Sequence, residues 1–274
     1  MELLHLSDLH FGSEDAAALG VVAEFVRARA PSAVIVTGDL TAIGAARELE
    51  QAFAWLRGLE APVLALPGNH DTGYYEPLVR LFDPFGRFER AAAGVRTGAW
   101  STRDFLIAPI NTARGVQLRV NWALGAISKA QARSAAAAIE SAAPGALRIV
   151  ASHHPLIWPH EAPIGGRTRG GPDAAASLIG AGAQVFLSGH LHHGAAWPID
   201  VGAGGAVAIS AGTLSTRLRS EPGGFMLIRR PGADAIEVET VHIVGDGPQT
   251  VGIARFAIAT GGGASLARPA AARA

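Results

Sequence analysis

Seven of the ten histidines (His10, His70, His153, His154, His190, His192 and His193) fall within a few residues of a predicted strand end, and Asp8, Asp39, Asn69 and Asp71 share those positions. Imidazole nitrogen together with carboxylate and amide oxygen is a donor set that suits manganese, iron or zinc, whereas a thiolate-seeking ion finds no cysteine. Asp8-x-His10 and His190-x-His192 each offer two donors from one short segment, because side chains alternate with period two along an extended backbone. A carboxylate placed between two groups of donors can hold two ions about 3.5–4 Å apart, the separation used for in-line displacement at phosphorus. Asp39 is the candidate for that place. Taken singly, each segment reads as an ordinary turn or strand end; the conjunction of five, each after an apolar strand, carries the reading.

The elements that must position these residues follow from the apolar runs. Stretch 33–40, AVIVTGDL, reads as a parallel strand buried on both faces that ends by presenting an acid. Gly38 allows the sharp turn that aims Asp39 across the sheet edge, where open α/β sheets gather their ligands. Further strands are predicted over 2–6, 62–66, 105–110, 147–151 and 184–187. Helices are predicted over 15–30 with Asp15 as cap, 45–58, 78–85, 127–143 with Ser128 as cap, and 173–181. The β-α-β-α-β order at the start implies parallel pairing with right-handed crossovers. After residue 193 the chain turns β-rich, with strands over 206–210, 225–229, 236–243 and 253–259. Aromatics between 72 and 98 (Tyr74, Tyr75, Phe82, Phe85 and Phe88) read as a lid or insertion, and 156–172 as a surface loop. Residues 1–260 form one domain, and the Ala/Gly-rich tail over 261–274 is expected to be disordered.

Composition excludes several classes. A chain of 274 residues with 49% apolar content can bury a substantial core, and its formal net charge of zero is not the footprint of a protein that grips long nucleic acid or an anionic membrane. No run approaches the ~18 apolar residues that would span a bilayer. The sequence passes from Met1 into a strand without a leader pattern, so a soluble, cytoplasmic protein is expected. The Gly202-Ala203-Gly204-Gly205 cluster precedes a strand rather than a helix and reads as a hairpin turn, not a phosphate cradle. No Walker sequence and no Gly-x-Ser-x-Gly elbow is present.

Asp8-x-His10, Gly38-Asp39, Gly68-Asn69-His70-Asp71, His153-His154-Pro155 and Gly189-His190-x-His192 together resemble the five-motif signature of the calcineurin-like metallophosphoesterases, over about residues 3 to 215. The resemblance implies an α/β fold, a four-layer α/β/β/α sandwich of two mixed sheets, with two divalent or trivalent transition-metal ions at the sheet edge. Carried over residue by residue, one metal takes Asp8, His10, Asp39 and His192; the other takes Asp39, Asn69, His153 and His190. His153 is preferred to His154 because the family's ligand is the first residue of that motif. Substrate oxygens would lie against His10, Asn69, His70 and His192. His70 is the implied catalytic residue, stabilising the phosphorane-like oxygen or protonating the leaving alkoxide, with Asp71 orienting His70 or bracing its loop. Length, spacing and the pairing of Asn111-Thr112 with a later His-His-Pro look most like the bacterial class III cyclic-nucleotide and glycerophosphodiester phosphodiesterases. That branch implies a small phosphodiester substrate, no membrane or nucleic-acid polymer as partner, and a homo-oligomer. Tyr74, Tyr75, Arg114, Trp122, Trp158, His160, Arg167 and Arg169 are candidate lid residues. A phosphomonoesterase, which would need extra positive charge beside the metals, and a non-catalytic metal-binding scaffold are the alternative readings.

Overall fold

Asp15 starts the first helix. Its Oδ1 accepts the N–H groups of Ala17 and Ala18 at 3.0 and 3.1 Å, satisfying donors that have no partner within the helix. Ser128 and Gln131 cap the fifth reciprocally, through the hydroxyl of one and the amide of the other. The computed structural model describes residues 1–118, 121–200 and 205–258. In chain order the elements are β1 (Glu2–Leu6), α1 (Ala16–Arg29), β2 (Ala33–Val36), α2 (Ala46–Gly58), β3 (Val63–Ala65), α3 (Pro77–Phe82), α4 (Gly86–Ala91), β4 (Trp100–Ser101), β5 (Phe105–Ile110), α5 (Lys129–Glu140), β6 (Leu147–Ser152), α6 (Gly171–Gly180), β7 (Val185–Ser188), β8 (Ala195–Asp200), β9 (Gly205–Ser210), β10 (Gly224–Gly232), β11 (Ala235–Val244) and β12 (Gly247–Ala257).

Two mixed six-stranded sheets result, in the orders β12-β11-β10-β1-β2-β3 and β4-β5-β6-β7-β9-β8. β1, β2 and β3 run parallel in the first, and β5, β6, β7 and β9 in the second. Side-chain alternation splits each strand between two cores. Leu4, Leu6, Val34 and Val36 pack with α1 and α2, while Leu3, Ala33 and Ile35 meet Ile107, Ile149 and Leu187 between the sheets. A third cluster joins Leu106, Val150 and Phe186 to α5 and α6. Three apolar seams between four layers make the α/β/β/α sandwich that the motifs imply.

Several boundaries differ from expectation, each for a physical reason. Strand 33–40 leaves its ladder after Val36, because Gly38 adopts φ +92° and turns the chain. Helix 78–85 is the shorter α3, ending at Phe82 because Pro84 disfavours helical geometry at Asp83, and a separate α4 follows from Gly86. Helix 127–143 is the shorter α5, and 173–181 begins earlier, with Pro172 in the first turn of α6. β8 was not expected; Pro198 argues against a central strand, but β8 lies at a sheet edge where a missing N–H is tolerated. The final strand is longer than 253–259 and largely exposed. Segment 156–172 is more than a surface loop: Leu156 and Thr168 are buried, and Arg169 donates its N–H to Gly125 O. The glycine cluster's first three residues and the tail over 261–274 lie outside the described residues. Among the described residues, no helix is long and apolar enough to cross a membrane.

Leu64 is fully buried between the sheets and Leu218 is 54% exposed. Leu64→Ala is therefore expected to cost about 2–5 kcal/mol in chemical denaturation, and Leu218→Ala a small fraction of that.

Candidate metal centre

The site lies where five parallel strands run out. β1 leads to Asp8 and His10, β2 to Asp39, β3 to Asn69 and His70, β6 to His153, and β7 to His190 and His192. Asp8, His10, Asp39, His190 and His192 all hold left-handed backbone, with φ of 55°, 46°, 51°, 69° and 49°. The two i, i+2 pairs thus converge through consecutive kinks beyond the strands, which corrects the expectation of an extended backbone. Such conformations cost on the order of 1–3 kcal/mol each and persist where surrounding structure over-determines them. Here Asp8 N–H donates to Gly38 O and His10 N–H to Asp39 O, both at 3.0 Å, locking the kinked segments to one another. Gly189 must be glycine on the same account, because an added Cβ would strike Ser7 Oγ and lie 2.6 Å from Asp8 Oδ2.

Asp39 is central. Its Oδ1 accepts the His70 N–H at 2.8 Å, and its Oδ2 lies 3.4 Å from His153 Nε2, 3.9 Å from His10 Nε2 and 4.0 Å from His70 Nε2. Asp8 Oδ1 faces His192 Nε2 at 3.2 Å and His10 Nε2 at 3.7 Å, while Asp8 Oδ2 accepts the His190 N–H at 2.9 Å. Asn69 Oδ1 is 3.2 Å from His153 Nε2. Donor atoms close enough to share an ion group as Asp8–His10–His192, Asp8–Asp39–His153, His10–Asp39–His70 and His153–His154–His190.

This arrangement fits metal ions. Four imidazoles turn Nδ1 to a backbone carbonyl: His10 to Thr41 at 3.1 Å, His70 to Ala42 at 2.6 Å, His153 to Thr37 at 2.8 Å and His192 to Arg217 at 2.7 Å. Each therefore holds Nδ1–H outward and aims Nε2 inward, the orientation ligating histidines take. His10 Nε2 and His192 Nε2 confront each other at 3.2 Å, a contact that requires a cation or proton between them. Asp8 Oδ1 is buried without a hydrogen-bond partner. His154 differs, since Thr112 Oγ1 at 2.9 Å and Ala123 O at 2.7 Å occupy both its nitrogens.

The electrostatics divide the cluster. Burial alone would raise the Asp8 and Asp39 carboxyls, but His192 beside the first and His153 beside the second hold both well below the usual carboxylate range. Burial opposes charge on His153, yet Asp39 pushes it up to about 9; Asp8 likewise raises His192. Burial keeps His10 near 4 and His190 near 3, with neighbouring imidazoles adding to the effect. Asp71 is buried and raised to about 7 by desolvation and by Asp39. Its oxygens accept the N–H groups of Leu40, Thr41 and Gly68 at 3.2, 3.0 and 2.8 Å, so it braces the loops and does not touch the His70 ring.

The lid candidates separate. Tyr74 stacks on His70 with rings 4.6 Å apart and 9° from parallel, and Trp158 meets His190 edge-on at 5.8 Å. Tyr75, His160, Arg167 and Arg169 are exposed, and Trp122 lies 5.3 Å from the Arg80 guanidinium. The Arg114 guanidinium is spent on Asn111 O, Ala113 O and Gln131 Oε1. His193 points away from the centre to Glu221 at 2.9 Å. Arg217 was missed in the sequence: its Nη1 is 3.3 Å from His10 Nδ1 and 3.4 Å from His70 Nδ1. The overlooked signal is the Thr216-Arg217-Leu218-Arg219 step soon after a strand end, the placement that picked out the ligands.

The sequence profile described as calcineurin-like phosphoesterase matches residues 1–194. Among solved structures, the chain is similar to purple acid phosphatase PPD1 from yellow lupin (Lupinus luteus) seeds, at TM-score 0.62 and 14% identity over 88% of this chain and 51% of that one. It therefore spans about half the length of the lupin protein. It is also similar to TT1561 of Thermus thermophilus, at TM-score 0.57 and 17% identity over 87% of this chain and 97% of that one. Both likenesses show the fold. No curated protein matches the chain.

A metal held by His153 would have to displace that ring's proton, which burial opposes and Asp39 retains up to about pH 9. Apparent metal affinity is thus expected to climb as pH rises from neutral toward 9, by about tenfold per unit for each proton displaced. Calorimetry in buffers of different ionisation enthalpy will show protons released on binding, fewer as pH approaches 9.

Proposed function

The chain belongs to the calcineurin-like phosphoesterase family, and from that premise we propose that it hydrolyses small phosphodiesters, of the cyclic-nucleotide or glycerophosphodiester type, at a dinuclear metal centre. The observation that carries this reading is Asp39, whose carboxylate faces His10 on one side and His153 on the other. In the proposed centre Asp8, His10, Asp39 and His192 hold one ion, and Asp39, Asn69, His153 and His190 hold the second. Manganese, iron and zinc all suit these donors. Two bound cations would supply an activated water and neutralise the phosphoryl oxygens.

The chain's own groups do the rest. His10, Asn69, His70 and His192 line the space where the phosphoryl oxygens lie. Oxygen from water bonds to phosphorus as the opposite P–O bond breaks; the leaving alkoxide takes a proton from Nε2 of His70 in its imidazolium form, and the water's proton passes to solvent, from which the ring is recharged. The Ala42 carbonyl holds the other nitrogen of that ring, and Tyr74 covers its face, so Nε2 keeps one direction. Asp71 positions the loops that carry Asp39 and Asn69 through its bonds to the backbone. The Thr112 hydroxyl, 2.9 Å from His154, joins the Asn-Thr step to the His-His-Pro step, which supports the diesterase branch. Neutral net charge favours a small substrate over a polymer. By family analogy the protein acts in the cytoplasm as a homo-oligomer, which light scattering on the purified protein will test.

Asp39→Asn is expected to lose bound metal and hydrolysis of a bis-aryl phosphodiester together. His70→Ala should retain full metal content by elemental analysis while kcat falls about 10²–10⁴-fold. A metal-depleted His70→Ala protein would contradict this division of roles.

A further inference from the structure

Residues 213–221 form a strap across the mouth of the centre, tied at both ends. At one end Leu214 N–H donates to Asp8 O at 3.3 Å, Thr213 Oγ1 to the same oxygen at 2.6 Å, and Thr216 N–H to Ser13 O at 2.9 Å. At the other, Glu221 meets His193 Nδ1 at 2.9 Å and accepts the Gly194 N–H. Between these anchors stand two exposed arginines, Arg217 and Arg219. Arg217 is placed by its carbonyl, which receives His192 Nδ1–H; its guanidinium lies beside His10 and His70 at 3.3 and 3.4 Å, against ring nitrogens that already donate to Thr41 O and Ala42 O. Arg219 follows two residues later on the same exposed stretch of the strap.

Neither arginine is neutralised. Among the described residues, no carboxylate oxygen lies within 4.0 Å of either guanidinium, whereas Arg27, Arg29, Arg87, Arg90 and Arg229 all have one. Two like charges held two residues apart on a tethered strap repel each other and await an anion. A phosphodiester carries one negative charge, which the two metal ions already match. The arginines therefore provide for charge elsewhere on the substrate. Because Arg217 adjoins His70, that charge lies on the leaving-group side.

We infer that Arg217 and Arg219 form a subsite for a second anionic group, a carboxylate or a phosphate, borne by the leaving portion of the substrate. This inference rests on the phosphoesterase reading and narrows its substrate class to small phosphodiesters with an additional negative charge. A guanidinium pair suits either oxyanion through bidentate hydrogen bonds. The chemistry at phosphorus is unchanged: water adds, the P–O bond breaks, and the departing alcohol keeps its anionic group.

Binding and turnover test it separately. Metal-loaded protein is titrated calorimetrically with methylphosphonate, phosphonoacetate and methylenediphosphonate. The wild type should bind one or both two-headed probes at least ~10-fold tighter than methylphosphonate, and whichever is tighter tells carboxylate from phosphate. In Arg217→Gln and Arg219→Gln that ratio should fall toward one, with Arg219→Lys recovering part of it; metal content and melting temperature establish that each variant is folded and loaded. An unchanged ratio overturns the subsite. An equal loss for all three probes also overturns it, since the arginines would then be holding the phosphoryl group itself. Hydrolysis of bis-aryl phosphodiester by the same wild-type preparation reports on the phosphoesterase reading alone, so a protein inert there but selective in binding separates the two claims.

Discussion

Two carboxylates, Asp8 and Asp39, sit almost wholly out of water within a shell of imidazoles. A charge in that position costs several kcal/mol unless it is matched. Protons on His153 and His192 can match it, and so can metal ions; both compete for the same inward Nε2 atoms. Everything around the centre serves this competition. Backbone carbonyls occupy the outward nitrogens, which leaves the inward ones free for a cation. The strained backbone at five donor residues follows from the same demand, since only left-handed kinks bring so many donors from strand ends into one small volume.

The sandwich makes such kinks tolerable. Each sheet ends three or more parallel strands on the same edge, and the apolar seam between the sheets fixes the distance between those edges. β1 and β2 bring Asp8, His10 and Asp39 from one sheet, while β6 and β7 bring His153, His190 and His192 from the other. Neither sheet alone holds both donor groups. Asp71 and the strap over residues 213–221 then close the arrangement, one beneath the ligand loops and one across the mouth.

The cluster of candidate donors was legible because chemistry-bearing side chains and strand ends coincide in the sequence. Apolar runs such as AVIV name the strand, and the residues after it name the site. The reason the pairs converge was not legible: alternation in an extended chain predicts the same spacing as consecutive left-handed kinks, and only φ angles distinguish them. Edge strand β8 escaped because its proline is tolerated there for lack of a partner on one side. Arg217 escaped because arginine is not a metal-donor type, so its position soon after a strand end went unread; its place depends on the strap's ties to Ser13 and Asp8, some two hundred residues earlier. Asp71 was read as a partner for His70 or a brace for its loop; its oxygens accept the backbone N–H groups of Leu40, Thr41 and Gly68.

The most direct test of the central claim is anomalous diffraction from crystals of the protein loaded with manganese. Two peaks about 3.5–4 Å apart, with Asp39 between them and Asp8 and His153 on opposite sides, are the predicted result. A single peak, or two peaks that do not share Asp39, would contradict it.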